Sequence, residues 1–176
     1  AKNRQQTVMA LVDGNLYNAA ELRCALEKRG YTFATACPFE VVPHLYQEYG
    51  IHFLEHLNGD FGMALWDRER RLLLLARDPF GVKPLYFAVA DNAVWFASSL
   101  RAMLRYPVIS TTIDPLGYSE YLTFQHTISP RTLLADVSRL PAGHYAVYQD
   151  GGFSMHQYWD LHFPDEATKL QDEATH

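Results

Sequence analysis

The chain has 176 residues, a formal net charge of −5 and 48% hydrophobic residues, which suits one globular domain with enough length to bury a core. It has no block of lysine and arginine, and its longest apolar runs are far too short to cross a bilayer, so we expect no nucleic-acid partner and no membrane partner. Cys24 and Cys37 form neither a disulfide framework nor a set of metal ligands. We therefore expect a cytoplasmic protein in which both cysteines are buried free thiols.

The first half of the chain is predicted to contain one strand and two helices. Residues 8–12 are apolar and predict a buried strand, and Asp13 and Gly14 form a typical turn after it. The helix that follows has its apolar residues on one face and ends at Gly30. After a short extended stretch, residues 40–49 predict a second helix, with a glycine directly after it.

The second half of the chain is dominated by strands. The predicted strands have alternating or continuous apolar residues and cover residues 61–66, 72–76, 84–90, 94–96, 143–147 and 153–159. Short helices are predicted at residues 98–106 and 114–123. Strands of this kind, interrupted by helices, indicate an α+β fold with largely antiparallel strands. The predicted domain covers residues 1–161, and residues 162–176 are expected to be a mobile polar tail or the start of a linker.

Several stretches of the sequence together are similar to one protein family. Residues 13–18, DGNLYN, resemble the family pattern NGEIYN. The other similar stretches are LNGDFGMALWD at 57–67, ARDPFGVKPLY at 76–86, FASSLRAML at 96–104, LPAGHY at 140–145 and YWDL at 158–161. By these motifs, in this order and spacing, the chain resembles the amino-terminal glutaminase domain of asparagine synthetases, which is a class II glutamine amidotransferase domain.

The resemblance implies an Ntn-hydrolase fold, an αββα sandwich of two largely antiparallel sheets flanked by helices. In this family an amino-terminal cysteine attacks the side-chain amide of L-glutamine, and its own α-amino group, titrating near ~8, is the general base. An Asn-Gly pair donates N–H groups to the oxyanion, an aspartate binds the substrate's ammonium and an arginine binds its carboxylate. The ammonia passes to a C-terminal asparagine-synthetase-type domain, so ATP and Mg²⁺ are implied only for that domain and no cofactor for this one.

The family's nucleophile has no counterpart in this sequence. Residue 1 is Ala1, and neither Cys24 nor Cys37 matches the nucleophile's position. Only a dozen residues precede Asp13, where the family has a longer segment that also carries its carboxylate-binding arginine. The resemblance therefore predicts no catalytic residue in this chain.

Two of the substrate-binding positions are also altered. Asp13 stands where the family has the oxyanion-hole asparagine, and an ionised carboxylate has no N–H to donate, although Gly14 keeps its backbone N–H. Pro38 stands where the family has the ammonium-binding aspartate, and proline cannot balance a positive charge. Glu40 is kept, and a charge in the first turn of a helix explains it sufficiently. The resemblance thus assigns Asp13, Gly14, Pro38 and Glu40 to a vestigial glutamine cleft.

Other polar residues are interpreted as structural. Arg77, Asp78 and Lys83 are predicted to be charges at a tight turn, paired with each other. Scattered histidines, including His44 and His126, are expected at the surface or at the edge of the core.

A possible zinc motif lies near the middle of the chain. Residues 52–56, HFLEH, fit the H-x-x-E-H pattern of inverted zinc proteases, which needs both histidines on one face of a sustained helix. Gly50 precedes the motif and Asn58-Gly59 follows it, which leaves at most about two helical turns. We therefore predict no metal site.

These observations leave three hypotheses for function. The preferred one is a degenerate glutaminase domain that does not hydrolyse glutamine and serves as a scaffold for a C-terminal ATP-dependent synthetase domain. The second is an active glutamine-hydrolysing enzyme whose cysteine-containing segment is missing from this chain. The third is a free-standing binding module that uses the old cleft for another ligand. The oligomeric state stays open, with a homodimer among the alternatives.

Overall fold

A computed structural model describes residues 1–3 and 5–163 of the chain. The predicted tail covers residues 162–176, and all of it except residues 162 and 163 lies outside the described residues. The strands of the described part are β1 (Val8–Leu16), β2 (Gly59–Asp67), β3 (Leu72–Arg77), β4 (Tyr86–Ala90), β5 (Ala93–Ala97), β6 (Ser138–Arg139), β7 (His144–Gln149) and β8 (Gly152–Gln157). Its α-helices are α1 (Ala19–Lys28), α2 (Val41–Tyr49), α3 (Leu100–Met103) and α4 (Pro115–Phe124), with 3-10 helices at Pro38–Glu40 and Gly50–His56.

The strands form two antiparallel sheets. The five-stranded sheet has the order β1-β2-β3-β7-β8, and the three-stranded sheet has the order β5-β4-β6. Every pairing between these strands is antiparallel. The predicted antiparallel α+β fold is therefore confirmed.

The largest apolar cluster lies between the five-stranded sheet and the helices α1 and α2. Leu26 of α1, Leu45 of α2 and the strand residues Phe61 and Leu74 are all buried in it. Because successive strand side chains point to opposite faces, Phe61 and Met63 reach this cluster while the residue between them faces the other way. Helices and five-stranded sheet thus make the first two layers.

A second cluster lies between the two sheets, and a third covers the outer face of the small sheet. Leu75 of β3 and Phe87 of β4 meet in the second cluster. Ala88, the neighbour of Phe87, points the opposite way and packs with Met103 of α3 in the third cluster. The order of layers is helices, sheet, sheet, helix, which is the αββα sandwich that the resemblance implies. Strands with both faces covered read as near-continuous apolar runs, and this explains LLLLA in β3.

Three expectations about burial are wrong. Cys24 and Cys37 are exposed: Cys24 is two residues from the buried Leu26 and so lies on the opposite side of α1, and Cys37 lies in a surface loop. His44 is buried, because α2 is covered on several sides and the rings of Tyr31 and Phe33 pack edge-on against it at centroid distances of 5.3 and 5.0 Å.

The helix predicted at residues 98–106 is only one turn long. Ser99 has an extended backbone and its side chain accepts a hydrogen bond from Ala102 N, so it caps the helix and fixes the start at the next residue.

None of the helices in the described part of the chain combines the length and the apolar character that a bilayer crossing needs.

Candidate functional site

Gly14 lies inside β1, where the strand passes very close to β2. The turn predicted at Asp13 and Gly14 is therefore wrong, because β1 continues through both residues to Leu16. Gly14 pairs with Phe61, has φ +141°, and a Cβ atom built on it would lie 1.9 Å from the carbonyl oxygen of Asp60. Both the backbone conformation and the lack of space require glycine here. The position next to it, Asp13, is therefore held in a fixed register opposite Gly62.

The Asp13 carboxylate forms an ion pair with Lys83. Its Oδ1 atom is 3.8 Å from the Lys83 ammonium, and the two side chains are 56% and 34% exposed, respectively. A pair this open to water contributes at most about 1 kcal/mol to stability. Asp13 also lines a cavity of about 230 Å³ between the two sheets, together with Pro84 and Phe96. The geometry thus puts a carboxylate and an ammonium, rather than a neutral amide, at this end of β1.

The turn that positions Lys83 is built around two buried charged residues. The Arg77 guanidinium donates to the carbonyl oxygens of Lys83 at 2.7 Å, Leu140 at 2.8 Å and Gly81. The Asp78 carboxylate accepts from three backbone N–H groups at 3.0–3.1 Å, those of residues 80, 82 and 83. Arg77 and Asp78 are therefore structural, as predicted.

The predicted pairing of these charges with each other is wrong. Arg77 and Asp78 each bind backbone groups of the turn, and the carboxylate partner of Lys83 is Asp13. Burial, with the positive charge of Arg139 nearby, lowers the pKa of the Arg77 guanidinium. The guanidinium is satisfied by neutral carbonyl groups, so the turn needs no counter-ion within contact distance.

Glu40 closes the loop that precedes α2. Its carboxylate accepts from Ala34 N at 2.7 Å and from Thr35 N and Oγ1 at 2.9 and 2.6 Å, and Arg23 lies 3.9 Å away. Burial alone would raise the pKa of Glu40, but these hydrogen bonds and the Arg23 charge outweigh it and hold the pKa below its ordinary value. Glu40 thus has a larger role than a helix-end charge: it organises the 34–40 loop.

Pro38 begins the 3-10 helix beside this loop. The residue before it, Cys37, has an extended backbone with φ −64° and ψ 123°, as expected before proline. Proline is favourable at the first position of a helix because its missing N–H is not needed there. Pro38 therefore has a local structural explanation and brings no polar group to the site.

The four predicted cleft residues lie on two elements that contact each other, but they do not line one cavity. The 3-10 helix that contains Pro38 and Glu40 packs against β1, which carries Asp13 and Gly14. Glu40 lines a cavity of about 440 Å³ that also includes Cys37, whereas Asp13 lines the smaller cavity between the sheets. Their assignment to a former glutamine site stays a prediction.

The ion pair between Lys83 and Asp13 was not predicted from the sequence. The two residues are 70 positions apart, and no periodicity or motif links them. Tyr17, in the same motif as Asp13, also makes an unexpected contact, because its hydroxyl donates to the Asp60 carboxylate and this hydrogen bond raises the Tyr17 pKa.

The H-x-x-E-H stretch lies in the 3-10 helix Gly50–His56. His52 Nδ1 is 2.7 Å from a carboxylate oxygen of Glu55, and the His56 ring packs on Tyr49. In a 3-10 helix residues four apart do not face the same way, since side chains repeat every three residues. Within residues 1–3 and 5–163, no three His, Cys, Asp or Glu side chains form a group that would hold a metal ion.

Comparison with known proteins agrees with this architecture and these motifs. A family model described as a glutamine amidotransferase domain matches residues 1–159. Asparagine synthetase [glutamine-hydrolyzing] 3 of Bacillus subtilis is 30% identical over 94% of this chain, and amidase chyE of Penicillium rubens is 31% identical over 94%. The chain spans only 27% and 24% of the length of these two relatives.

A solved structure confirms the predicted Ntn-hydrolase fold. Glutamine phosphoribosylpyrophosphate amidotransferase from B. subtilis superposes on 90% of this chain with a TM-score of 0.62 at 20% sequence identity, a likeness that bears on the fold alone. With the family model covering nearly every described residue, the chain belongs to the glutamine amidotransferase domain family, in the form found in asparagine-synthetase-like proteins.

Proposed function

We propose that this domain does not hydrolyse glutamine as it stands and that it serves as a scaffold for an ATP-dependent, amide-forming domain. Asp13 is the observation that carries the proposal. A carboxylate at the position that the resemblance assigns to an oxyanion donor repels the developing negative charge, and losing one such donor alone costs about 3–4 kcal/mol. The Lys83 ammonium offsets part of this charge, but only weakly, because both side chains are open to water.

Pro38 supports the same proposal independently. The resemblance assigns this position to the aspartate that binds the substrate's ammonium, and proline has no polar side-chain atom. Neither Asp13 nor Pro38 depends on where the chain begins, so the argument stands whatever precedes Ala1. By contrast, Arg77 and Glu40 each hold their turn or loop by several hydrogen bonds. The domain thus keeps the groups that hold its shape and has replaced groups that would handle charge.

In this proposal the partner is the C-terminal asparagine-synthetase-type domain, which would bind ATP and Mg²⁺. The relatives are about four times as long as the part that this chain matches, which leaves room in them for such a domain. The proposed compartment is the cytoplasm, since Cys24 and Cys37 are both exposed free thiols and a reducing environment suits them.

The test is an ammonia-release assay with L-glutamine on the complete product of the reading frame that contains this chain. We expect no turnover above the uncatalysed rate. A variant with Cys37→Ser should behave identically, because Cys37 lines the larger cavity without a catalytic role. Cysteine-dependent turnover would overturn the proposal. The scaffold role is tested separately by ATP-dependent amide formation with and without this domain, and we expect its removal to abolish activity.

A second candidate is an active glutaminase, favoured by the 30% identity over 94% of the chain to a protein named as glutamine-hydrolysing. It predicts measurable ammonia release in the same assay. It also predicts that Asp13→Asn, which returns an amide donor, raises turnover by about 100-fold or more.

A third candidate is a binding module, favoured by the cavity of about 440 Å³ beside Glu40, which is large enough for a small molecule. It predicts stabilisation by a ligand in a thermal-shift screen that includes amino acids. No shift with any of them, together with a requirement for this domain in amide formation, would reject it.

A further inference from the structure

The helix α4 carries apolar side chains on a surface that nothing in the described structure covers. Its residues Tyr118, Tyr121 and Leu122 are 49%, 46% and 66% exposed, respectively. Their spacing of three and four residues puts them on one face of the helix. Leu116 and Phe124 lie on other sides of the helix and are also more than half exposed. We call these five residues the α4 surface.

One side of α4 is fixed to the domain at Gly117. A Cβ atom at Gly117 would lie 2.2 Å from the carbonyl oxygen of Thr132, so the helix approaches this backbone as closely as glycine permits. The orientation of α4 is therefore determined by packing, and the helix cannot turn its apolar residues inward.

The charges near the α4 surface are already paired within the domain. Arg131 forms ion pairs with Asp114 at 2.9 Å and with Glu120 at 2.7 Å. Glu120 also accepts a hydrogen bond from Ile128 N. The hydroxyl of Thr123 donates to the carbonyl of the preceding turn. An aromatic and aliphatic patch without free charge resembles the centre of a protein–protein interface.

A lipid surface does not fit this helix. Interfacial helices carry lysine or arginine on their polar face, and the sequence of α4, PLGYSEYLTF, has neither. Large apolar interfaces are typical of parts that stay permanently associated, as domains of one chain do. The relatives, of which this chain matches only 24–27%, have chain outside the match that would supply such a permanently attached part.

We infer that the α4 surface is the face on which the ATP-dependent domain of the longer product packs. This inference rests on the proposed scaffold function and names the surface through which it would act. In the free 176-residue chain this face is open to water, and in the longer product it is covered.

Hydrogen exchange on the two proteins tests the inference. We expect the amides of residues 115–124 to exchange at least about tenfold more slowly in the longer product than in the 176-residue chain, because the covered helix opens less often. Leu122→Glu should remove this difference, since it would bury a charge in the interface. Met155→Glu, at a similarly exposed apolar residue on β8, should leave the difference intact.

The outcomes separate the inference from the proposed function. Amide formation that requires this domain, with α4 equally exposed in both proteins, would overturn the inference and leave the scaffold function standing. If α4 is protected in the longer product but amide formation does not need this domain, the scaffold function would be overturned and the α4 surface would still be an interface. If the 176-residue chain forms a dimer and Leu122→Glu prevents it, the partner of the α4 surface is a second copy of the chain, which contradicts the inference. A reading frame that encodes no further domain would also contradict it.

Discussion

Arg77 is a charged residue that holds a turn together from inside the protein. Its guanidinium joins the 77–84 turn to the segment before β7 through Leu140, and it is only 7% exposed. The planar fork of N–H groups reaches three carbonyl oxygens in fixed directions, whereas the three donors of a lysine all lie on one nitrogen. This turn places Lys83 beside Asp13, so the electrostatics of the candidate site depend on the buried Arg77 guanidinium.

Arg77→Lys is expected to lower the free energy of unfolding by about 2–3 kcal/mol, because lysine keeps the charge but leaves buried carbonyl groups without a donor. Urea unfolding followed by circular dichroism measures the loss. Arg101→Lys, at an exposed position on α3, serves as the control and should change stability by less than about 0.5 kcal/mol. Equal midpoints for the two variants would contradict the structural role of Arg77.

His44 is expected to make the protein sensitive to mild acid. Burial lowers the pKa of His44 in the folded protein, and neither ring nitrogen has a hydrogen-bond partner among the described residues. Above the unfolded-state pKa of about 6.5 both states are neutral, so stability does not depend on this group. As the pH falls below 6.5 the unfolded state takes up the proton first, and stability is lost until the folded-state pKa is reached.

His44→Phe should therefore remove the part of the stability loss that occurs between pH 7.5 and 5.5, while stability at pH 7.5 is kept or raised because an unpaired polar group is replaced by an apolar ring. Urea unfolding at the two pH values measures this. His126→Phe, at an exposed histidine, should retain the wild-type dependence. If His44→Phe and wild type lose the same stability on acidification, His44 is not the group responsible.

At the scale of elements, the β1–β2 pair decides the geometry of the site. The two strands pair along their whole lengths, and at Gly14 the backbone of β2 leaves no room for a side chain. Because side chains alternate along β1, a shift of one residue would turn Asp13 away from Lys83 and towards the opposite face of the sheet. The glycine thus helps to fix the register of the two strands.

Gly14→Ala is expected to destabilise the domain by about 3 kcal/mol, because the new methyl group overlaps the Asp60 carbonyl and the strands must separate. Gly30→Ala is the matched control: it also has a positive φ, of +91°, but it has open space around it. The control should cost only the backbone strain, about 1–2 kcal/mol. Equal losses in chemical unfolding would show that the close approach is unimportant.

At the scale of the whole molecule, the four layers are unequal. The cluster under α1 and α2 is the largest, and the central strands β2 and β3 have both faces covered. The small sheet has a thinner covering, and all five residues of β5 are only partly buried. Local stability follows the number of buried apolar contacts, so it should fall from the large sheet towards β5.

Hydrogen exchange on the 176-residue chain is expected to follow this gradient. Amides of β2 and β3 that donate within the sheet should exchange slowest, near the limit set by global unfolding, and those of β5 at least about 100-fold faster, a difference of ~3 kcal/mol in opening free energy. The hydrogen-bonded amides of β4, which lies between two strands of the small sheet, are an internal control and should lie between them. Protection of β5 equal to that of β2 would contradict the unequal layering.

The sequence by itself determined the antiparallel α+β fold, most of its strands and its family. The alternation Phe61, Met63, Leu65 in β2 and the glycines at turns are local signals, because they depend on neighbours within a few residues. The motif around Arg77 and Asp78 was correctly interpreted as structural for the same reason. The prediction that Asp13 and Pro38 stand in a former glutamine site also comes from the sequence, since it needs only a comparison of residue types.

The tertiary structure alone decided what each side chain meets. It paired Lys83 with Asp13 across 70 residues, buried His44 between Tyr31 and Phe33, and left both cysteines exposed. It also left the apolar side chains of α4 on the surface. These contacts arise when separate segments are stacked in layers and aligned in register, so they depend on distances between distant parts of the chain that no local pattern of residues encodes.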